Sequence, residues 1–255
     1  MTRKIAITLR KGGSGKTTTA VNLAAGLRQL GQRVLLVDLD PQANATLAVG
    51  INPLALPYNI NHLFTSIDVR PRDAIHHLPT DLDLLPSHPD LGVTETSMKA
   101  SQVGVLRGML QAIEDDYDFI ILDTPPSESF LAINALAYAD EVIIPLQAHY
   151  LAVHGLEQAM EQIENVRQGL NPSLRISGIL PTMVNQRTNI ARMILDDVRE
   201  KYPTLVYPFQ IDFSIKHAEA SLAGLPVVLF EPNSTGAQAY RKLAETVLHD
   251  KQART

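Results

Sequence analysis

The 255-residue chain contains no cysteine and no tryptophan. Without thiols it can form no disulfide, hold no thiolate-bound zinc and ligate no iron–sulfur cluster of its own. That absence is compatible with the cytosol. Aromatic residues make up only 5% of the chain, so its core must be mainly aliphatic. No stretch approaches the roughly 18 apolar residues that a membrane-crossing helix needs. No long apolar segment follows Met1-Thr2-Arg3-Lys4, so no secretory signal is expected. Basic residues are also in deficit, with 22 Lys+Arg against 27 Asp+Glu and a formal net charge of −5. A chain dedicated to nucleic acid is usually basic overall; this one leaves room only for a local basic patch.

What is present fits a soluble α/β protein, with 45% apolar and 19% charged residues. The chain turns on one stretch, Lys11-Gly12-Gly13-Ser14-Gly15-Lys16-Thr17-Thr18. It follows an apolar run, Ile5–Leu9, and precedes a helical pattern from Lys16 to Gln29. Glycines between a buried strand and a helix N-terminus let backbone N–H groups curl around phosphates. In that setting Lys16 reaches the β- and γ-phosphates, and the Thr17 hydroxyl can ligate Mg²⁺. A plain P-loop would carry glycine where Arg10 stands; the chain has an additional lysine, Lys11, instead.

A second buried strand, Arg33–Asp38, completes a βαβ unit and runs into Asp38-Leu39-Asp40-Pro41-Gln42, acids at a strand's C-terminal end. From about residue 50 to 96 the prolines leave only fragments: short helices at 61–66 and 72–77 and a strand at 82–85. His62, His76, His77 and His88 lie here, but no acid joins them at a ligand-like spacing, and surface or capping roles are expected. Further on the pattern predicts a helix at 103–113 and a strand, Asp118–Asp123, whose terminal acid suits a metal-bound water. A strand at 141–146, a helix at 151–168, a strand at 175–183, a helix at 188–201, a strand at 205–209 and helices at 215–222 and 234–249 follow. The alternation predicts a single doubly wound α/β domain over residues 1–255, with a mostly parallel central sheet of the P-loop NTPase kind.

Together, Lys11–Thr18, the run Val37-Asp38-Leu39-Asp40-Pro41-Gln42-Ala43-Asn44-Ala45-Thr46 and Leu122-Asp123-Thr124-Pro125-Pro126-Ser127 resemble the ParA/MinD group of deviant Walker ATPases. The short, Soj-like ParA partition proteins are the most similar members. The resemblance implies hydrolysis of ATP to ADP and phosphate with Mg²⁺, in a homodimer that sandwiches two nucleotides. Gly12, Gly13, Ser14, Gly15, Lys16, Thr17 and Thr18 would hold the phosphates, and Lys11 would reach the partner subunit's nucleotide. Asp40 would orient the attacking water near the metal, with Thr17 and Asp123 on the metal side; Asp38 either supports that network or caps the next turn. Asn185 and Asp212 are candidates for the adenine end. Asp212 stands where the family often has proline, and Leu9-Arg10 replaces a polar pair before the signature lysine.

The resemblance further implies ATP-dependent binding to non-specific DNA, hence a cytoplasmic, nucleoid-associated protein, with hydrolysis stimulated by a ParB-like or other adaptor. Arg187 and Lys216 match DNA-contacting positions, and Arg192, Arg199 and Lys201 could extend the patch. A MinD-like membrane-associated ATPase is the alternative. It needs a C-terminal amphipathic helix, and Leu248–Thr255 lacks an apolar face, so no membrane partner is expected. A nitrogenase-like reductase subunit is excluded by the missing cysteines. A dinucleotide oxidoreductase would use Asp38 for ribose, but Gly15-Lys16-Thr17 does not fit its fingerprint. A scaffold that no longer hydrolyses ATP is the remaining alternative.

Overall fold

The structure, a computed structural model, describes residues 1–99, 102–149, 152–185 and 189–250. Arg187, Tyr150, the expected helix starts Leu151 and Thr188, and the end of the polar tail (251–255) lie outside the described residues.

The strands are β1 (Arg3–Ile7), β2 (Val34–Asp38), β3 (His76–His77), β4 (Asp83–Leu85), β5 (Phe119–Asp123), β6 (Glu141–Gln147) and β7 (Arg175–Thr182). They form one sheet in the order β3-β4-β2-β5-β1-β6-β7, parallel throughout except for the β3–β4 pair. The central strands read as unbroken apolar runs because both faces are covered. Successive side chains alternate between two cores. Ala6, Leu35, Val37, Ile120 and Leu122 face one core, and Ile5, Ile7, Leu36, Phe119 and Ile121 face the other. Burial of each such aliphatic side chain contributes roughly 1.5–3 kcal/mol.

The first core is closed by α3 (Ile60–Thr65), α4 (Leu91–Ser97), α5 (Val105–Leu110), α6 (Phe130–Tyr138), α7 (Ala152–Gly169) and α8 (Asn189–Lys201). The second lies under α1 (Lys16–Gln29), α2 (Asn44–Ala48), α9 (Lys216–Leu222), α10 (Val227–Phe230) and α11 (Thr235–His249). α1 and α11 pack closely at Gly26, where a Cβ would stand 2.9 Å from the Ala244 Cβ. Among the described residues no helix is long and apolar enough to cross a membrane.

Three expectations need correction. Residues 72–77 are not a helix: a 3-10 turn, Pro71–Ala74, is followed by β3, which pairs antiparallel with β4 and places His77 against Asp83. Edge pairing and the burial of Ala74 outweigh the weak local helix preference. The expected helix at 103–113 is the shorter α5 followed by a 3-10 stretch, Gln111–Asp116. The strand expected at 205–209 is reduced to a single parallel bridge, Val206 to Ile179. Four helices were not legible in the pattern: α2, α4, α6 and α10. α6 is buried along nearly its whole length and so lacks a polar stripe, and α2 and α10 are only five and four residues long, too short to show a period.

Candidate functional site

β1 lies in the middle of the sheet, and the chain leaves its C-terminal end for β2 on one side while β6 lies on the other. Crevices at such points are where open α/β sheets bind ligands. The loop from Thr8 to Gly15 fills this one. Gly13 and Gly15 have φ of +71° and +86°, left-handed values that a Cβ would disfavour. Gly15 is the N-cap of α1 and offers no side chain to the first helical N–H groups. Those donors, with the positive end of the helix dipole, are left for an anion. At Gly12 and Gly13 a Cβ would meet nothing within 4 Å, so the loop is an open cradle.

Neighbouring strands hold the loop in place. The Thr182 hydroxyl at the end of β7 donates to the Ser14 carbonyl at 2.7 Å, and the Thr124 hydroxyl donates to the Ile7 carbonyl at 2.9 Å. Lys16 is buried, and its ammonium donates to the Lys11 carbonyl at 3.1 Å. Burial pushes the Lys16 ammonium below its ordinary pKa, opposed by attraction to Asp123 and Asp40. Thr17 donates from Oγ1 to Asp123 Oδ2 at 2.8 Å.

The acids stand together because β2 and β5 are in register, with Asp38 beside Asp123. Asp123 is fully buried, and its carboxyl is pushed well above the ordinary range, first by desolvation and then by Asp38. Desolvation pushes Asp38 up to about 6, against hydrogen bonds from Thr46 and Asp40. Asp40 is raised by burial, opposed by the Gln42 N–H and Lys16. Asp40 and Asp123 both act on Lys16, with Asp38 beside Asp123, so acceptors are in excess, and Asp123 Oδ1 is buried with no hydrogen-bond partner. A divalent cation with its bound water fits that donor set: a hydroxyl from Thr17 and carboxylates from Asp40 and Asp123.

The cavity at this point measures about 740 Å³ and is lined by Gly12 through Thr18 and by Asp40. Its lining also includes the apolar side chains of Val21, Leu47, Leu225, Pro226 and Val227. That volume lies within the roughly 300–1,000 Å³ typical of small-molecule sites. The parallel bridge between Val184 and Asp212 brings Asn185 and Asp212 near one another; neither lines the cavity, although Met183, two residues before Asn185, does. The Gln210 amide donates to Asp212 Oδ1 at 2.8 Å, so that oxygen is already engaged.

Lys11 does not line the cavity; its Nζ lies 3.4 Å from His149 Nδ1 in the loop after β6. Arg10, where the plain pattern wants glycine, forms an ion pair with Glu128 at 2.7 Å. The signature lysine is thus flanked by contacts to two neighbouring loops. No motif pointed to His149, Glu128 or Thr182, because each acts from a distant strand end.

The basic positions are largely paired. Lys216 contacts Glu219 at 2.8 Å and Glu231 at 4.0 Å, and Arg199 pairs with Asp196. Lys201 pairs with Glu157. Lys216 is the first residue of α9, where a cation opposes the helix dipole; the two acids offset that. α9 also lines the nucleotide-sized cavity through His217, Ala218 and Ser221.

The chain is similar to known proteins along nearly its whole length. A family profile described as an AAA domain matches residues 2–176. The chromosome-partitioning ATPase Soj of Thermus thermophilus is 42% identical over 246 residues, covering 96% of this chain and 95% of the relative. The chromosome partitioning protein ParA of Myxococcus xanthus is 39% identical over 251 residues, covering 96% of this chain and 88% of the relative. Among solved structures, cobyrinic acid a,c-diamide synthase from Mycobacterium smegmatis with bound ATP analog and magnesium superposes with a TM-score of 0.87. It is 35% identical and covers 100% of this chain and 98% of its own.

Proposed function

The chain belongs to the Soj/ParA family of P-loop ATPases, and from that premise we propose that residues 1–255 act as one nucleotide-switched positioning ATPase domain. ATP and Mg²⁺ bind in the cavity, and two copies close face to face over two nucleotides. The dimer holds non-specific DNA, and a ParB-like or other adaptor stimulates hydrolysis that releases it. The protein is nucleoid-associated while ATP is bound.

Each residue has a physical task in this reading. The N–H groups of Gly12 through Thr18 and the Lys16 ammonium hold the phosphates. Thr17, Asp123 and Asp40 hold Mg²⁺ or its waters, and the metal supplies charge neutralisation on the phosphate oxygens. Asp40 orients the attacking water. Asn185 and Asp212 meet the adenine. Lys11 acts in trans, as a cation offered to charge developing on the partner subunit's γ-phosphate.

The observation that carries the reading is the division of labour between two lysines of one loop. Lys16 is buried and lines the cavity, whereas Lys11, one residue outside the lining at Gly12, is half-buried at its rim and meets the exposed His149. A cation on the rim can serve a site built by another subunit. DNA is held through phosphates by Arg187 and Lys216, so binding is sequence-independent and salt-sensitive. Two patches in one dimer add avidity, which couples nucleotide state to DNA affinity.

The test is binding to random-sequence duplex with ADP, ATP and a non-hydrolysable ATP analogue at rising salt. Tight binding with ATP and the analogue, weak binding with ADP and a steep loss with salt are expected. Equal affinity in all three nucleotide states would overturn the reading.

A further inference from the structure

The loop after β2 carries Asp40, and its conformation is costly. Ala43 has φ +52°, ψ +35°, a left-handed backbone for a residue with a Cβ, and it is fully buried. Such a residue costs roughly 1–2 kcal/mol and persists only where its surroundings impose it. What imposes it lies on either side of the turn. Asp38 Oδ1 accepts from the Asp40 N–H at 3.1 Å, and Asp38 Oδ2 accepts from the Thr46 N–H at 2.8 Å and the Thr46 hydroxyl at 2.7 Å. The Thr46 oxygen in turn accepts from the Ser87 N–H at 3.1 Å. Asp38, Thr46 and Ser87 each have no exposed surface.

We propose that Thr46 is a positioning residue for hydrolysis, the keystone of a buried Asp38–Thr46–Ser87 clasp that fixes the Asp40 carboxylate. The hydroxyl has one proton, given to Asp38, and its lone pair takes the Ser87 N–H, so a single side chain joins three segments. These are the end of β2, the first turn of α2 and the turn between β4 and α4. Asp40 is held at its backbone by Asp38, and its own Oδ1 accepts from the Gln42 N–H at 2.9 Å inside the same turn. Loss of the clasp lets the first turn of α2 move and Ala43 relax to a right-handed conformation. The Asp40 carboxylate then moves with the turn. A displacement of ~1 Å at a reacting centre costs about 10²-fold in rate. Phosphate binding is untouched, because the loop from Gly12 to Thr18 is anchored separately by Thr182.

The inference rests on the role given to Asp40 above, and the experiment separates the two. Steady-state ATPase and nucleotide binding are measured for Thr46→Val, Thr46→Ser, Asp38→Asn and Asp40→Ala, with melting curves for each. Thr46→Val keeps the shape and removes the hydroxyl; its kcat is expected to fall about 10- to 100-fold, with ATP affinity nearly unchanged. Thr46→Ser restores the hydroxyl and recovers kcat. Asp38→Asn replaces one acceptor with a donor facing an N–H; it shows the same loss of kcat at preserved affinity and answers the question if Thr46→Val does not fold. Wild-type kcat in Thr46→Val, or failure of Thr46→Ser to recover it, overturns the clasp while Asp40→Ala is inactive. Normal turnover in Asp40→Ala overturns the role of Asp40 itself, and the clasp with it.

Discussion

Replacing His217 with leucine should make the protein more stable, and increasingly so in acid. His217 lies on α9 at the edge of the cavity, with its ring edge-on to Tyr240 at 5.8 Å between centroids and close against Gly236. Both ring nitrogens are buried without a hydrogen-bond partner. A buried polar atom left unpaired costs roughly 1–3 kcal/mol, and leucine removes two of them. Against that stand the lost edge-to-face contact, ~0.5–1.5 kcal/mol, and imperfect shape, under about 1.5 kcal/mol. Central values of these terms leave about 2 kcal/mol of added stability at pH 8, or ~4–8 °C in Tm. Acid enlarges the difference. Desolvation lowers the folded pKa of His217 below its ordinary 6.5. Below pH 6.5 the unfolded chain therefore takes up a proton that the folded chain resists, and wild-type stability falls as pH drops. Leucine carries no such linkage. The effect stays under the ~1.4 kcal/mol per pH unit of a wholly buried group, because part of the ring meets solvent. Denaturant melts of both proteins at pH 8.0 and 5.5 provide the assay. A leucine variant no more stable than wild type at pH 8, or a gap that does not widen at pH 5.5, would refute the reasoning.

Three further outcomes follow from the site. Lys16→Ala should abolish ATP binding in a fluorescence titration, whereas Asp40→Ala should bind ATP and DNA yet lose turnover; normal turnover in Asp40→Ala would remove its assigned role. Thr182→Val deletes the bond to the Ser14 carbonyl and should weaken nucleotide binding ~3- to 10-fold, the equivalent of one hydrogen bond, with kcat at saturation unchanged. Glu219→Gln with Glu231→Gln frees Lys216 and should strengthen DNA binding and steepen its log–log salt slope by about 0.9, one phosphate contact's share. Glu245→Gln with Asp68→Asn makes the same charge change at two exposed acids elsewhere and serves as control; an equal response there would assign the effect to net charge alone.

The sequence was most informative where chemistry and local structure coincide. The limits of α1, Lys16–Gln29, were readable because glycine, lysine and an apolar helical stripe meet there. β5 was readable from a five-residue buried run ending in Asp123. The acid cluster was only half visible: Asp38, Asp40 and Asp123 each end a strand or begin a turn, but register alone puts Asp38 beside Asp123. Ser87 reaches Thr46 from the proline-punctuated region, where no periodicity marks the path. The pairing of Lys216 was likewise hidden, because Glu231 lies beyond two turns in the chain and is brought back by α10. α6 was missed because a helix buried on nearly every side has no period to read.

The central claim is that Lys11 serves the nucleotide of the other subunit, and mixing two inactive variants tests it most directly. Lys11→Ala retains its phosphate site but lacks the rim cation; Lys16→Ala keeps Lys11 but cannot hold ATP. Each alone should be without turnover. In an equimolar mixture with DNA and adaptor, the Lys16→Ala subunit lends its Lys11 to the ATP held by the Lys11→Ala subunit. The account predicts that ATPase activity reappears in the mixture, rising with the fraction of mixed dimers seen by sedimentation. Mixed dimers that form and remain inactive, or a Lys11→Ala protein that hydrolyses ATP at the wild-type rate alone, would contradict it.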